Sequence, residues 1–217
     1  MVKRFCDLLI AAASLVILAP LLGFLAMLIR LRGDGPIFYL GTRVGRFGKP
    51  FRIVKFRTMV SDAESRGGSC TSMNDTRITP LGRWMREFKL DELPQLFNVL
   101  KGDMSFVGPR PELQKYTDMF NNEEMQILSV QPGITDWATL WNPDEEAILA
   151  RSSDPERTYL EEIRPEKVRL QLKYVRERGL WADFKILIST AALLLKRCLV
   201  GGSPQRLKRG HSRAAES

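Results

Sequence analysis

Lys89-Leu-Asp-Glu-Leu-Pro-Gln-Leu-Phe-Asn-Val-Leu-Lys-Gly-Asp-Met-Ser-Phe-Val-Gly-Pro-Arg-Pro111 is the stretch around which the chain is organised. Two adjacent carboxylates, Asp91 and Glu92, stand in an apolar frame of Leu90, Leu93, Leu96, Phe97, Val99 and Leu100. Pro94 follows within a turn, and Arg110, eighteen residues after Glu92, is fixed between two prolines. A generic surface helix needs neither the frame nor the rigid cation. Adjacent helical side chains point about 100° apart, so the two carboxylates can flank one site in different roles but cannot easily share one ligand atom.

The composition limits the chemistry available to them. A chain of 217 residues suits one domain with a sizeable core. Cys6, Cys70 and Cys198 are too far apart for a disulfide framework or a zinc pattern, which points to a reducing compartment. The single histidine, His211, lies in a polar tail, so Ser-His and Cys-His catalysis and a histidine-ligated metal are excluded. Acid–base work falls to carboxylates or lysine, and a metal would be oxygen-ligated, which favours magnesium.

The net charge of +8 sits at the ends. Lys3, Arg4, Arg30 and Arg32 against Asp7 give +3 over residues 1–32. Lys196, Arg197, Arg206, Lys208, Arg209 and Arg213 against Glu216 give +5 over residues 196–217, which leaves 33–195 neutral. A nucleic-acid binder carries its excess on the folded domain. Positive charge beside apolar segments instead suits an anionic membrane surface and argues against nucleic acid.

Leu8 to Ile29 is 22 residues without a charge, long enough to span a hydrocarbon core of about 30 Å. It is too long for a cleaved signal peptide and has no good small-x-small site after it. Pro20 near its middle removes a helix hydrogen bond and predicts a kink. Basic residues on both flanks favour keeping both ends in the cytoplasm, as a helix broken at Pro20 and re-entering the same face would do; a spanning helix is the alternative. Further on, Pro36–Leu40 and Phe51–Arg57 read as short strands of a hairpin, with Gly45, Gly48 and Pro50 between them. The two-residue period puts Phe51, Ile53, Lys55 and Arg57 on one face, either as a solvated sheet edge or as cations aimed at a phosphate. Ser61–Asn74 reads as a loop, and Thr79-Pro80-Leu81-Gly82 as the start of a helix carrying Arg86. Pro111–Ser129 reads as an amphipathic scaffold helix, and Glu145–Tyr174 as helical with a mostly solvated face. Leu180, Trp181, Phe184, Leu187, Ile188, Ala191, Leu194 and Leu195 recur at helical spacing between basic residues. That stripe suits an in-plane interfacial helix, with a buried core helix as the alternative. Residues 201–217 read as a disordered basic tail.

Leu-Asp-Glu-Leu-Pro-Gln-Leu, Asn-Val-Leu-Lys-Gly-Asp-Met-Ser and Val-Gly-Pro-Arg-Pro, with Lys55-Phe-Arg-Thr-Met59 and Pro132-Gly-Ile-Thr135, resemble the blocks of the bacterial sugar transferase family, the monotopic phosphoglycosyl transferases. The resemblance covers roughly Lys3 to Leu195. It implies transfer of a sugar 1-phosphate from a UDP-sugar to a polyprenyl (undecaprenyl) phosphate. Asp91 would be the nucleophile on the β-phosphorus, UMP the leaving product, and Mg2+ the cofactor, contacted by Asp91. Glu92 would place the metal or take a proton. Arg110, and less firmly Lys55, Arg57 and Arg86, would bind phosphate. The resemblance also implies the re-entrant geometry, at the cytoplasmic face of a bacterial inner membrane. Three positions depart from the family's pattern: Ala19 replaces Ser before Pro20, Glu87 replaces Lys, and Asp136 replaces Gly. A glycine at 136 would permit positive φ or close ligand approach, so Asp136 is expected to alter loop shape and sugar choice.

The expected fold is α+β: a re-entrant membrane helix over 1–32, a mostly helical catalytic domain with a short β-hairpin over 33–200, including the interfacial helix near 180–197, and the tail. UDP-sugar, polyprenyl phosphate and membrane lipids are the expected partners, and a homodimer is open. Two other readings are carried: a non-catalytic peripheral membrane protein binding acidic lipids, and a magnesium-dependent diphosphate hydrolase.

Overall fold

A computed structural model describes residues 2–32, 35–63, 65–66 and 75–200. The predicted tail over 201–217 and part of the Ser61–Asn74 loop lie outside them. The fold is α+β, with a two-stranded antiparallel hairpin and a predominance of helix.

Helix α1 (Val2–Leu31) is 30 residues long, about 45 Å at 1.5 Å per residue. It runs without interruption through Pro20, where a break was expected. One missing hydrogen bond is tolerable there because both halves pack on the same body. Ala11, with Leu15 and Leu18, meets Ile53, Leu96, Val99 and Met104. Leu25 and Ile29, with Leu21 and Leu22, meet Phe56 and Met85. The start of α1 is held by charge. Lys3 Nζ lies 2.6 Å from Asp183, Arg4 donates to the Val99 and Leu100 carbonyls, and Asp7 accepts from the Ser105 hydroxyl at 2.8 Å. The opposite face exposes Phe5, Leu9, Val16, Ile17, Phe24 and Met27.

Strands β1 (Phe38–Val44) and β2 (Pro50–Phe56) form the expected hairpin, in register from Phe38↔Phe56 to Val44↔Pro50. Helix α2 (Pro80–Glu87) starts as its sequence predicts: Pro80 opens it and the Thr79 hydroxyl accepts from the Gly82 N–H at 3.0 Å. A 3₁₀ turn (Leu90–Glu92) leads to α3 (Gln95–Lys101), which ends on Gly102 at φ 96°.

Strands β3 (Ser105–Val107) and β4 (Gly133–Thr135) pair in parallel, a feature without a sequence signal. Between them the predicted 111–129 helix is replaced by α4 (Gln114–Thr117) and a 3₁₀ segment (Glu124–Ser129). Asn121 stops the helix by capping the next turn. Its side chain accepts from the Glu123 and Glu124 N–H groups, and Glu124 accepts from the Asn121 N–H. Then come α5 (Trp137–Trp141), α6 (Glu145–Leu149), α7 (Pro155–Thr158), a π-helical turn (Tyr159–Ile163) and α8 (Arg164–Glu177). The solvated face expected for this region is only half of it, because Lys167, Gln171 and Tyr174 are buried. Helix α9 (Leu180–Val200) buries Asp183, Ile186 and Arg197, and exposes Leu180, Trp181, Phe184, Ile188 and Leu195. It is therefore two-faced and not a core helix.

Candidate active site

The chain reaches the carboxylate pair through strain. Lys89 has φ 57°, one of two non-glycine residues with positive φ among the described residues, and it turns the chain from α2 into the Leu90–Glu92 turn. A non-glycine residue held there costs on the order of 1 kcal/mol. The turn points Asp91 inward, 6% exposed, and Glu92 toward two cations.

Each cation is delivered by a different element. Asn98 on α3 accepts from the Val54 N–H at 2.9 Å and donates to the Arg52 carbonyl at 2.7 Å, docking β2 against α3. Lys55, at the end of β2, then lies 2.7 Å from Glu92. Arg110 is carried by the β3–β4 pair. Gly108 and Gly133 touch so closely that a Cβ on Gly133 would lie 2.1 Å from the Gly108 nitrogen. The Gly133 N–H bonds the Pro109 carbonyl and the Gly108 N–H the Thr135 carbonyl, both at 3.0 Å. With its backbone so fixed, the Arg110 guanidinium grips both Glu92 oxygens, one at 3.1 Å.

Electrostatics separate the two acids. Burial pushes Glu92 up, but Arg110 and Lys55 outweigh it and hold the carboxyl well below the usual range. Burial, then the Glu92 charge, pushes Asp91 up. Burial also lowers the Lys55 ammonium, against the pull of Glu92. Asp91 Oδ1 is buried with no hydrogen-bond partner among the described residues, an arrangement that native structures explain by water, an ion or catalysis. No three His, Cys, Asp or Glu side chains gather to hold a metal among those residues. A hard cation here would take one carboxylate and complete its shell with phosphate oxygens and water, as magnesium does.

The remaining predicted residues divide. Arg86 donates from Nε to the Thr58 hydroxyl at 2.8 Å and lies 3.3 Å from Glu146, close enough for its charge to act on Asp91. Arg57 does not join the cluster: β2 ends at Phe56, and Arg57 donates to the Pro36 carbonyl at 2.9 Å. Asp136 does not sit at positive φ. At φ −157° it is extended, and its buried carboxylate caps α5 by accepting from the Thr139 N–H and hydroxyl, each at 2.7 Å. Its other oxygen accepts from the Arg110 N–H at 3.3 Å.

Sequence reading missed Glu112 and Lys167. Lys167 on α8 lies 2.8 Å from Glu112, 3.3 Å from Glu145 and 3.5 Å from the Tyr159 hydroxyl. Glu112 directly follows Pro111, so this pair clamps the Arg110 loop to α8. Its position after Pro-Arg-Pro was the available signal.

A cavity of about 370 Å³ borders Glu92 and Arg110 of this cluster, next to the buried Asp91, which does not itself line it. Its lining combines charged and polar groups, among them Lys89, Glu92, Arg110, Thr139, Asn142, Glu145, Glu146, Lys167 and Arg197, with apolar ones, Leu18 of α1 and Leu187, Leu193 and Leu194 of α9. An amphipathic ligand with a charged head fits that division.

Known proteins are similar to this chain in sequence. A UDP-N-acetylgalactosamine-undecaprenyl-phosphate N-acetylgalactosaminephosphotransferase from Aeromonas hydrophila is 36% identical over 197 residues, 89% of this chain and 44% of the relative. An undecaprenyl-phosphate glucose phosphotransferase from Komagataeibacter xylinus is 37% identical over 195 residues, 87% of this chain and 35% of the relative. A UDP-glucose:undecaprenyl-phosphate glucose-1-phosphate transferase from Caulobacter vibrioides is 34% identical over 196 residues, 89% of this chain and 69% of the relative. The chain thus spans less than half the length of the first two. A family model described as bacterial sugar transferase matches residues 1–197, and the chain belongs to that family.

Proposed function

We propose that the protein transfers a sugar 1-phosphate from a UDP-sugar to a polyprenyl phosphate, undecaprenyl phosphate in a bacterium, and so starts a lipid-linked glycan. One observation carries the reading: a single cavity joins a carboxylate–cation cluster to an apolar wall made by α1 and α9. A water-soluble diphosphate and a lipid phosphate can meet there.

Asp91 attacks the β-phosphorus of the donor through a carboxylate oxygen. The new O–P bond forms as the bond from that phosphorus to the α–β bridging oxygen breaks, and UMP leaves with the oxygen and its electron pair. An oxygen of the lipid phosphate then attacks the same phosphorus. The aspartyl–phosphorus bond breaks, the carboxylate is restored and the lipid diphosphate departs. Arg110 holds phosphate oxygens with a planar fork whose backbone cannot drift. Glu92, held ionised by Arg110 and Lys55, is a poor proton acceptor at neutral pH, which supports a positioning role. Asp91 would be the residue that holds magnesium, which would supply charge neutralisation on the diphosphate and assistance to the leaving UMP.

The membrane reading is a monotopic one at the cytoplasmic face. Both ends of α1 touch one body, through Lys3–Asp183 at one end and Ile29 beside Met85 at the other. A helix carrying one end across a bilayer would lose one of these contacts. The outward apolar faces of α1 and α9 would then lie in the membrane and at its interface. Tags at the N-terminus and after Lys196 should both be protected in intact cells; an accessible N-terminal tag contradicts this same-side placement of α1.

The test is UMP release from a panel of UDP-sugars with magnesium in detergent, with and without polyprenyl phosphate. Lipid-dependent UMP from one donor supports the transferase and names the sugar. Steady UMP without lipid means a hydrolase. No UMP from folded protein with any donor returns the chain to a peripheral membrane role.

A further inference from the structure

We infer that the cavity wall formed by Thr139, Asn142 and Glu145 reads the sugar of the donor, and that Asp136 sets its register against Arg110. The inference rests on the transferase reading above. The lining of the cavity is mixed. Arg110 suits phosphate, whereas the Glu145 and Glu146 carboxylates repel it, and these two acids with Thr139 and Asn142 match hydroxyl or acetamido groups. Two further cations, Arg197 and Lys167, line the cavity as well, each paired with a carboxylate as Arg110 is with Glu92. Arg197 donates to the Glu87 and Pro143 carbonyls and pairs with Asp144. Lys167 is shared by Glu112, Glu145 and the Tyr159 hydroxyl.

Two observations point to a ligand. The Asn142 amide nitrogen is buried without an acceptor among the described residues, and Asn142 is one of the residues lining the cavity. Its terminal torsion is broad, so the amide can turn into the cavity at little cost. Glu145 keeps a third of its side chain exposed, with one carboxylate oxygen 3.3 Å from Lys167. Asp136 joins this wall to Arg110. It is fully buried, caps α5 through Thr139 and accepts from the Arg110 N–H. A shift at position 136 therefore moves the sugar wall relative to the phosphate-binding arginine.

The experiment compares the Michaelis constant for each UDP-sugar with inhibition by UMP, which lacks the sugar. Lipid-dependent UMP release by the unaltered protein comes first, since its absence sinks the transferase reading alone. With a working donor in hand, Asn142→Ala and Glu145→Gln should each raise its KM about ten-fold, the loss of one or two hydrogen bonds, with UMP inhibition unchanged. Asp136→Gly should alter the ranking of UDP-sugars, and Asp136→Asn, which keeps an acceptor for Thr139, should alter it less. If Asn142→Ala does not fold, Asn142→Asp is measured in its place. Unchanged donor KM and ranking overturn the inference. So does equal weakening of UMP and donor, which would mean that the wall reads the nucleotide or only supports the fold.

Discussion

Gly133→Ala should damage stability and turnover together. The new Cβ would lie 2.1 Å from the Gly108 nitrogen, 2.4 Å from its oxygen and 2.7 Å from its Cα, all backbone atoms. Ordinary contact begins at 3.4 Å, so the β3 and β4 segments must part by about 1.3 Å. The two 3.0 Å bonds that tie them, Gly133 N–H to Pro109 and Gly108 N–H to Thr135, then stretch beyond useful length. Overpacking of this kind costs about 1–3 kcal/mol and each lost bond about 1 kcal/mol, so a total of about 3–5 kcal/mol is expected in urea unfolding. Arg110 lies two residues beyond Gly108, and a displacement near 1 Å at a positioning group costs roughly a hundred-fold in rate. UMP release should fall accordingly in protein that remains folded. Gly179→Ala is the control, since no atom lies within 4 Å of the position its Cβ would take. Wild-type stability and rate in Gly133→Ala would refute the claim that this glycine contact fixes Arg110.

Glu92→Gln strips the counter-charge from Lys55 and Arg110, and should cost about 3–5 kcal/mol by urea unfolding; a loss near zero would mean that the three groups do not depend on one another. Glu112 gives a pH signature: burial pushes its carboxyl up, but Lys167, the Tyr159 hydroxyl and Arg110 together outweigh burial and hold it below 4.5. A depressed carboxyl adds stability that is present above 4.5 and lost as pH falls through its folded value. The stability gap between the unaltered protein and Glu112→Gln should therefore narrow below about pH 4.5, and a constant gap contradicts the pairing. Trp181→Ser with Phe184→Ser removes two exposed rings of α9, 67% and 53% accessible. Together they should weaken binding to anionic vesicles by about 3 kcal/mol, roughly a hundred-fold in flotation, whereas unchanged partitioning would place that face elsewhere.

The legible parts of this chain were those with local causes. The Thr79-Pro80 start, the hairpin and the exposed apolar stripe of α9 each follow from a few neighbouring residues. So does the candidate site's centre, because an acid pair in an apolar frame and an arginine between prolines are local facts that the fold brings together. The misses have tertiary causes. β3 and β4 are three residues each, too short for a period, and exist because Gly108 and Gly133 let two backbones touch. Lys167 read as a solvated charge because its partners, Glu112 and Glu145, are distant in sequence. The two-residue period groups Arg57 with Lys55 only when it is extended one position past the end of the strand. Asp136 looks like a misfit for a glycine turn in the sequence, yet the backbone there is extended and uses the carboxylate as a helix cap.

The most direct test of the account is the mass of the protein after incubation with its UDP-sugar and magnesium in the absence of lipid. The account predicts one equivalent of UMP per enzyme and a sugar-phosphate adduct on the peptide bearing Asp91. Polyprenyl phosphate should discharge the adduct, and Asp91→Asn should never form it. Continuous UMP release without lipid, an adduct on another residue, or full activity in Asp91→Asn would contradict it.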